Sequence, residues 1–287
     1  MSLFRSWMFV PGNQERRLQK VKDLGSDIVI YDLEDAVPLQ EKDKARELVQ
    51  QTVADHRDKV QYVRVNDATT PYFAADLRVA GAGAAGIVLP KAAGKGQIRL
   101  VEELLSEVEE KYQLPRGSAE IVPLIESALG VHHAYEIATA SQRVKRLAFG
   151  SVDFTLDVNA QLTKEGTEIL YARSHLVVVS RAAGIEPPID AVYIHVKDSE
   201  GLERDARLAK QLGFQGKLVI HPDQIAVVNQ VFAPAQEEVE AARKIVAAFE
   251  EAVASGLAAI QVDGRLIDYP VAEKAKRIVA QAKELGM

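Results

Sequence analysis

The stretch Ile28-Val29-Ile30-Tyr31-Asp32-Leu33-Glu34-Asp35 runs four apolar residues straight into a cluster of carboxylates. An apolar run this short, bounded by polar residues, reads as a buried strand rather than a helix. The pattern recurs along the chain. Strand-like runs at 7–10, 61–63, 87–89, 119–125, 146–149 and 217–220 lead respectively into Pro11-Gly12, Arg64-Val65-Asn66, Pro90-Lys91, Glu126, Gly150-Ser151-Val152-Asp153 and His221-Pro222. A further run at 189–192 brings the set to eight. Helical periodicity falls between them at 14–24, 41–55, 97–112, 128–139, near 168–183 and at 200–212. Alternating strands and helices predict a parallel sheet, and eight strands predict closure into an α/β (β/α)8 TIM barrel. In such barrels the reactive groups lie on the face where the strands end, which is where this chain puts its ionisable residues.

The length of 287 residues and 47% hydrophobic content allow a full core. The expected organisation is a catalytic barrel at 1–232 and a C-terminal helical extension at 233–287. The extension holds a helix at 235–254 ending at Gly256, an apolar stretch at 259–262, the turn signal Asp263-Gly264 and a last helix at 271–285. It is superfluous for closing eight strands, so oligomer contacts and a contribution to the active site are expected of it. With no cysteine, a disulfide framework, a thiolate nucleophile and cysteine-type zinc sites are excluded. The net charge of −6 argues against nucleic acid as a partner. No apolar run approaches membrane-spanning length, and the first residues lack a secretion pattern, so a soluble cytoplasmic protein is expected.

Two carboxylates carry the chemistry. Glu126 and Asp153 lie 27 positions apart (153 minus 126), close to one strand–helix unit. If each follows a strand in adjacent staves, the pair converges at the barrel mouth as hard oxygen ligands for Mg²⁺, with room for water and substrate. The competing reading makes each a cap for the helix behind it. His132 and His133 are adjacent and offer no rival metal site. Arg64 would project toward the same mouth, where its planar donor fork suits an acidic substrate. An ion pair with Glu34 or Asp35 is compatible with that role. Three carboxylates, Asp32, Glu34 and Asp35, are costly in a dry mouth unless at least one orients Arg64 or a metal-bound water. On a continuous helix, Arg16 and Lys20 would share a face, either solvated or meeting an anion.

In this order, Phe9-Val10-Pro11-Gly12-Asn13, Tyr31 through Val37, Val63-Arg64-Val65-Asn66, Leu89-Pro90-Lys91, Pro123 through Ala128, Phe149-Gly150 through Asp153-Phe154 and Ile220-His221-Pro222 form a specific set. Over almost its whole length the chain resembles the citrate lyase β-subunit family within the HpcH/HpaI aldolase and citrate lyase superfamily. The resemblance implies Mg²⁺ held by Glu126 and Asp153, and Arg64 on the acidic part of the substrate. It implies a CoA-binding region along Phe9, Arg16, Lys20, Ile220 and His221. The implied reaction is carbon–carbon cleavage of a 3-hydroxyacyl-CoA thioester of the citryl-, malyl- or citramalyl-CoA type. Two alternatives are the β subunit of a citrate lyase complex and a malyl-CoA thioesterase. Asp268 matches an acid/base that a neighbouring subunit supplies, implying a homo-oligomer, a trimer or hexamer; capping of the last helix is its plain alternative. One departure is Val152, where many relatives carry an acidic residue directly before the metal aspartate.

Overall fold

The computed structural model describes residues 4–287. Eight parallel strands close into a barrel in chain order, with β8 pairing back onto β1. They are β1 (Ser6–Pro11), β2 (Ile28–Asp32), β3 (Val60–Arg64), β4 (Gly86–Leu89), β5 (Glu120–Ile125), β6 (Ala148–Phe149), β7 (Ile189–Asp190) and β8 (Gly216–Val219). The expected (β/α)8 architecture is therefore present. Side chains alternate across a strand, so every second residue points into the barrel. Trp7, Ile28, Ile30, Tyr62, Val88, Val122, Leu124, Ala148, Ile189 and Leu218 fill that interior as one cluster. Continuing the same period by one step brings Asp32 after Ile30, Arg64 after Tyr62 and Glu126 after Leu124 to the end of the interior. The polar site thus sits on a packed apolar floor.

The helices differ in detail from the sequence expectation. The first, α1 (Glu15–Leu18), is a single turn, and the chain continues as a 3₁₀ turn at Val21–Asp23. The period 128–139 is split at His133 into α5 (Ala128–His132) and α6 (Ala134–Ala138). Three helices had no separate sequence signal: α3 (Phe73–Ala80), α7 (Ser151–Asp157) and α10 (Asp223–Phe232). The remainder are α2 (Lys42–Asp55), α4 (Lys95–Lys111), α8 (Leu170–Ala182) and α9 (Ser199–Leu212). A buried ionic quartet ties α8 and α9 to the barrel. Arg173 on α8 donates through Nε and Nη2 to Asp190 on β7, 2.8 Å each, and through Nη2 to Asp205 on α9 at 2.7 Å. Lys217 on β8 reaches the same two carboxylates at 2.5 and 2.6 Å. Two cations and two anions offset one another, which makes their burial tolerable.

The chain divides into two compact units, Phe4–Asn229 and, at the C-terminal end, Gln230–Met287. In the second, α11 (Gln236–Ala254) and α12 (Tyr269–Glu284) pack with a hairpin of β9 (Ile260–Val262) and β10 (Arg265–Ile267) around Phe249, Ile267 and Ala272. Arg265 pairs with Val262, leaving a two-residue loop. Asp263 and Gly264 take φ of 49° and 78°, the left-handed pair that a tight hairpin turn demands.

Candidate active site

A cavity of about 410 Å³ opens at the carboxyl ends of the strands. Glu126, Asp153, Arg64, Asp32, Asp35, Phe9 and Ile220 all line it, with Leu124, Phe149, Val192 and Leu218 beneath. Arg64 is anchored first by Asp32, its neighbour in the β2–β3 register. Its Nε and Nη2 donate to the two Asp32 oxygens at 2.8 and 2.6 Å, and Nη1 lies 3.1 Å from Glu34 and 3.8 Å from Asp35. Phe9 backs the guanidinium, its ring centroid 4.9 Å away. Burial alone would lower the pKa of Arg64, but Asp32, Glu34 and Asp35 outweigh it and hold the proton more firmly than usual. The edge formed by Nη1 and Nη2 retains donors beyond those Asp32 uses, and it can take one carboxylate.

Glu126 is only 4% exposed. Its Oε1 accepts from the Lys91 backbone N–H at 2.7 Å. Its other oxygen faces Gly150, where an added Cβ would stand 2.7 Å from Oε2 and 2.6 Å from the Glu126 Cβ. The glycine thus makes room for the carboxylate. Burial pushes the Glu126 carboxyl up to about 8, with Asp153 and Glu34 adding to the rise and the Lys91 N–H and Arg64 opposing it. Neither site carboxylate caps a helix. Ser127 caps α5, its Oγ accepting from Gly130 N–H at 3.0 Å, and Gly150 stands at the head of α7. Among the described residues no three His, Cys, Asp or Glu side chains form a ready cation cage. Two hard oxygen donors beside an open cavity instead suit a cation such as Mg²⁺ that keeps waters or takes substrate oxygens.

Lys91 is a participant that sequence reasoning missed. It is a non-glycine residue at φ 52°, a left-handed conformation that side chains with a Cβ resist. In that conformation its N–H meets Glu126, and its Nζ lies 3.0 Å from Glu34 Oε1. One residue therefore joins the Glu126 carboxylate to the carboxylates around Arg64. Only the position directly after a strand end hinted at it.

The expected residues fall into two groups. Glu126, Asp153, Arg64, Phe9 and Ile220 come together, although Asp153 stands in the first turn of α7 rather than at a strand end. Glu34 and Asp35 do reach Arg64, yet Asp32 makes the paired contact. Arg16, Lys20 and His221 are not on the cavity lining; Arg17 is. The α-helix that carries Arg16 stops at Leu18, and Lys20 stands at the head of the 3₁₀ turn that follows. His221 Nδ1 accepts from the Asp223 N–H at 3.2 Å, as a helix-entry histidine does. Asp268 lies in the C-terminal unit, where its carboxylate caps α12 by accepting from Val271 N–H at 3.2 Å.

Fold and cavity together define a (β/α)8 barrel enzyme with an acidic, arginine-bearing site at the strand ends. The chain belongs to the HpcH/HpaI aldolase/citrate lyase family, whose model matches residues 5–222, and a model for carbon–carbon bond lyases of the TIM-barrel fold matches residues 171–287. It is 38% identical to the citrate lyase subunit beta of Leuconostoc mesenteroides subsp. cremoris, covering 98% of this chain and 93% of that one. It is 32% identical to the mitochondrial citramalyl-CoA lyase of Rattus norvegicus, covering 98% and 86%. Among solved structures, CitE from Mycobacterium tuberculosis in complex with magnesium, acetoacetate and coenzyme A matches with a TM-score of 0.79 at 29% identity, over 97% of this chain and 98% of that one. These matches place the chain among carbon–carbon lyases.

Proposed function

We propose that this chain is a Mg²⁺-dependent, cytoplasmic carbon–carbon lyase that splits 3-hydroxyacyl-CoA thioesters carrying a second carboxylate into acetyl-CoA and a 2-oxo acid. The observation that carries the reading is that Glu126 and Asp153 share one cavity with a guanidinium braced by Asp32. A carboxyl that burial, with Asp153 and Glu34 beside it, raises to about 8 is a poor arrangement by itself and a good one around a cation. Glu126 and Asp153 would hold Mg²⁺, which supplies Lewis acidity and a template for the hydroxyl and carboxylate oxygens of the substrate.

The remaining work falls to the protein. Arg64 binds the substrate carboxylate with its outer edge and keeps a fixed positive charge beside the oxygen that gains negative charge as the bond breaks. Asp32 prevents the guanidinium from swinging away, and Lys91 sets the angle of Glu126. The apolar floor limits water, which favours protonation of the departing enolate over side reactions. The family resemblance supports Asp268 of a neighbouring copy as the group that takes the hydroxyl proton, in a homo-oligomer that is a trimer or hexamer. It also supports Phe9, Ile220, Arg16, Lys20 and His221 as the CoA side of the site, to which the cavity lining adds Arg17.

The test is to incubate purified protein and Mg²⁺ with citryl-, malyl- and citramalyl-CoA and identify the products. Acetyl-CoA with a 2-oxo acid is the expected result; free CoA without a 2-oxo acid means hydrolysis, and no reaction without an acyl-carrier protein means a complex subunit. Glu126→Gln and Asp153→Asn should each lose Mg²⁺ affinity by calorimetry while staying folded. For Asp268, Arg64→Ala and Asp268→Ala chains are unfolded together and reassembled. Activity recovered only in the mixture supports a shared site, and none recovered in confirmed mixed oligomers removes Asp268 from the neighbour's chemistry.

A further inference from the structure

We propose that the 2-oxo acid half of the substrate carries a single carboxylate and an uncharged substituent, methyl or hydrogen, on its oxo carbon, and that a second carboxylate there is excluded. The inference rests on the lyase reading above and names which of its substrates the cavity fits. The reaction splits R–C(OH)(COO⁻)–CH₂–CO–S–CoA into R–CO–COO⁻ and CH₃–CO–S–CoA. The hydroxyl proton leaves to a base, the electron pair of the broken bond becomes the thioester enolate, and the enolate carbon takes up a proton. R is the only part that differs between the candidate thioesters, being hydrogen, methyl or carboxymethyl.

The cavity offers a charged R no spare cation. Its floor is Leu124, Phe149, Val192 and Leu218, and Val152 adds a further apolar side chain beside Asp153. Among the described residues the lining holds just two cations, Arg17 and Arg64, against four carboxylates, Asp32, Asp35, Glu126 and Asp153. Two guanidinium charges and a divalent cation only balance those four, leaving no surplus. Arg64 has already given its Nε–Nη2 edge to Asp32 and lies 3.1 Å from Glu34, so one free edge remains for one carboxylate. The carboxylate on the cleaved carbon is common to all three substrates and takes it. Lys42 cannot help, because its Nζ donates to the Leu33 and Glu34 carbonyls at 2.7 Å each, and Lys91 is paired with Glu34.

A carboxymethyl group would therefore lose its water against hydrocarbon with no spare positive charge to meet it, the costliest way to bury a carboxylate. A methyl group gains from the same surface, and one such carbon in an apolar pocket is worth about tenfold or more. The expected order is methyl above hydrogen, with carboxymethyl far below.

The experiment compares kcat/KM of the purified, Mg²⁺-loaded full chain on citramalyl-CoA, malyl-CoA and citryl-CoA, the three forms of R. Citramalyl- and malyl-CoA should exceed citryl-CoA by about 100-fold or more, which is about 2.8 kcal/mol in the transition state. Citryl-CoA within about threefold of the others overturns the inference, since it means that a cation reaches R from outside this lining. A second measurement separates this from failure of the lyase reading. Calorimetric titration of pyruvate, glyoxylate and oxaloacetate onto the Mg²⁺-loaded protein needs no turnover. Pyruvate bound about tenfold or more tighter than oxaloacetate upholds the charge argument even if no thioester is cleaved, and oxaloacetate bound equally well or better defeats it.

Discussion

Binding of Mg²⁺ to this protein should be strongly pH-dependent in a range where carboxylates are ordinarily indifferent. The perturbation is pH itself, acting on Glu126, whose carboxyl is raised from 4.5 to about 8 when no cation is near. A cation needs the deprotonated form, so at pH 7 about nine-tenths of the molecules must release a proton to bind it. Affinity should fall roughly tenfold for each pH unit below 8 and level off above it. Calorimetry in buffers of different ionisation enthalpy reads the released proton directly. Close to one proton per cation is expected at pH 7, falling to about half at pH 8. The same group governs stability without metal. Its folded value exceeds its unfolded one, so its contribution is complete below about 4.5 and is lost as pH rises through about 8. That interval corresponds to a loss of about 5 kcal/mol at most, offset when Mg²⁺ binds. Affinity that stays flat between pH 6 and pH 9, with no proton released, would refute the reasoning. Glu126→Gln should abolish both signals.

Three other outcomes follow from contacts already described. Gly150→Ala, at an ordinary φ of −110°, puts a Cβ 2.6 Å from that of Glu126 and should weaken Mg²⁺ binding by about 100-fold, measured by calorimetry with circular dichroism to confirm folding. Arg64→Lys keeps the charge but cannot hold Asp32 and a substrate carboxylate with one planar fork, so steady-state kcat/KM should drop by on the order of 100-fold. Asp190→Ala strands Arg173 and Lys217 in the interior with Asp205 alone. Urea unfolding should show a loss of about 3–5 kcal/mol, and a loss below about 1 kcal/mol would mean that the quartet relaxes or admits water.

The barrel was legible because eight short apolar runs with polar ends leave few alternatives, and because the inward period continues past Ile30, Tyr62 and Leu124 to the site residues. What stayed hidden depends on register or on a single backbone angle. Asp32 could be named as one of three clustered acids, but its paired hold on Arg64 follows from β2 and β3 aligning those two residues. Asp153 looked like a strand-end residue because β6 is only two residues long and α7 begins almost at once. The period from 14 to 24 promised one helix, yet the regular α-helix ends at Leu18 and the chain goes on as a 3₁₀ turn at Val21–Asp23; of the basic residues in this stretch Arg17 lines the cavity.

The left-handed Lys91 implies a conflict between durability and competence at one position. That conformation costs a lysine roughly 1–2 kcal/mol relative to a residue that enters it freely. Asparagine tolerates the angle better, so a library selected only for heat resistance should enrich Lys91→Asn. The survivors would keep the N–H to Glu126 but lose the ammonium facing Glu34, and with it part of the hold on Arg64. Directed evolution of this enzyme toward robustness would thus drift toward slower catalysts, unless turnover is screened alongside survival.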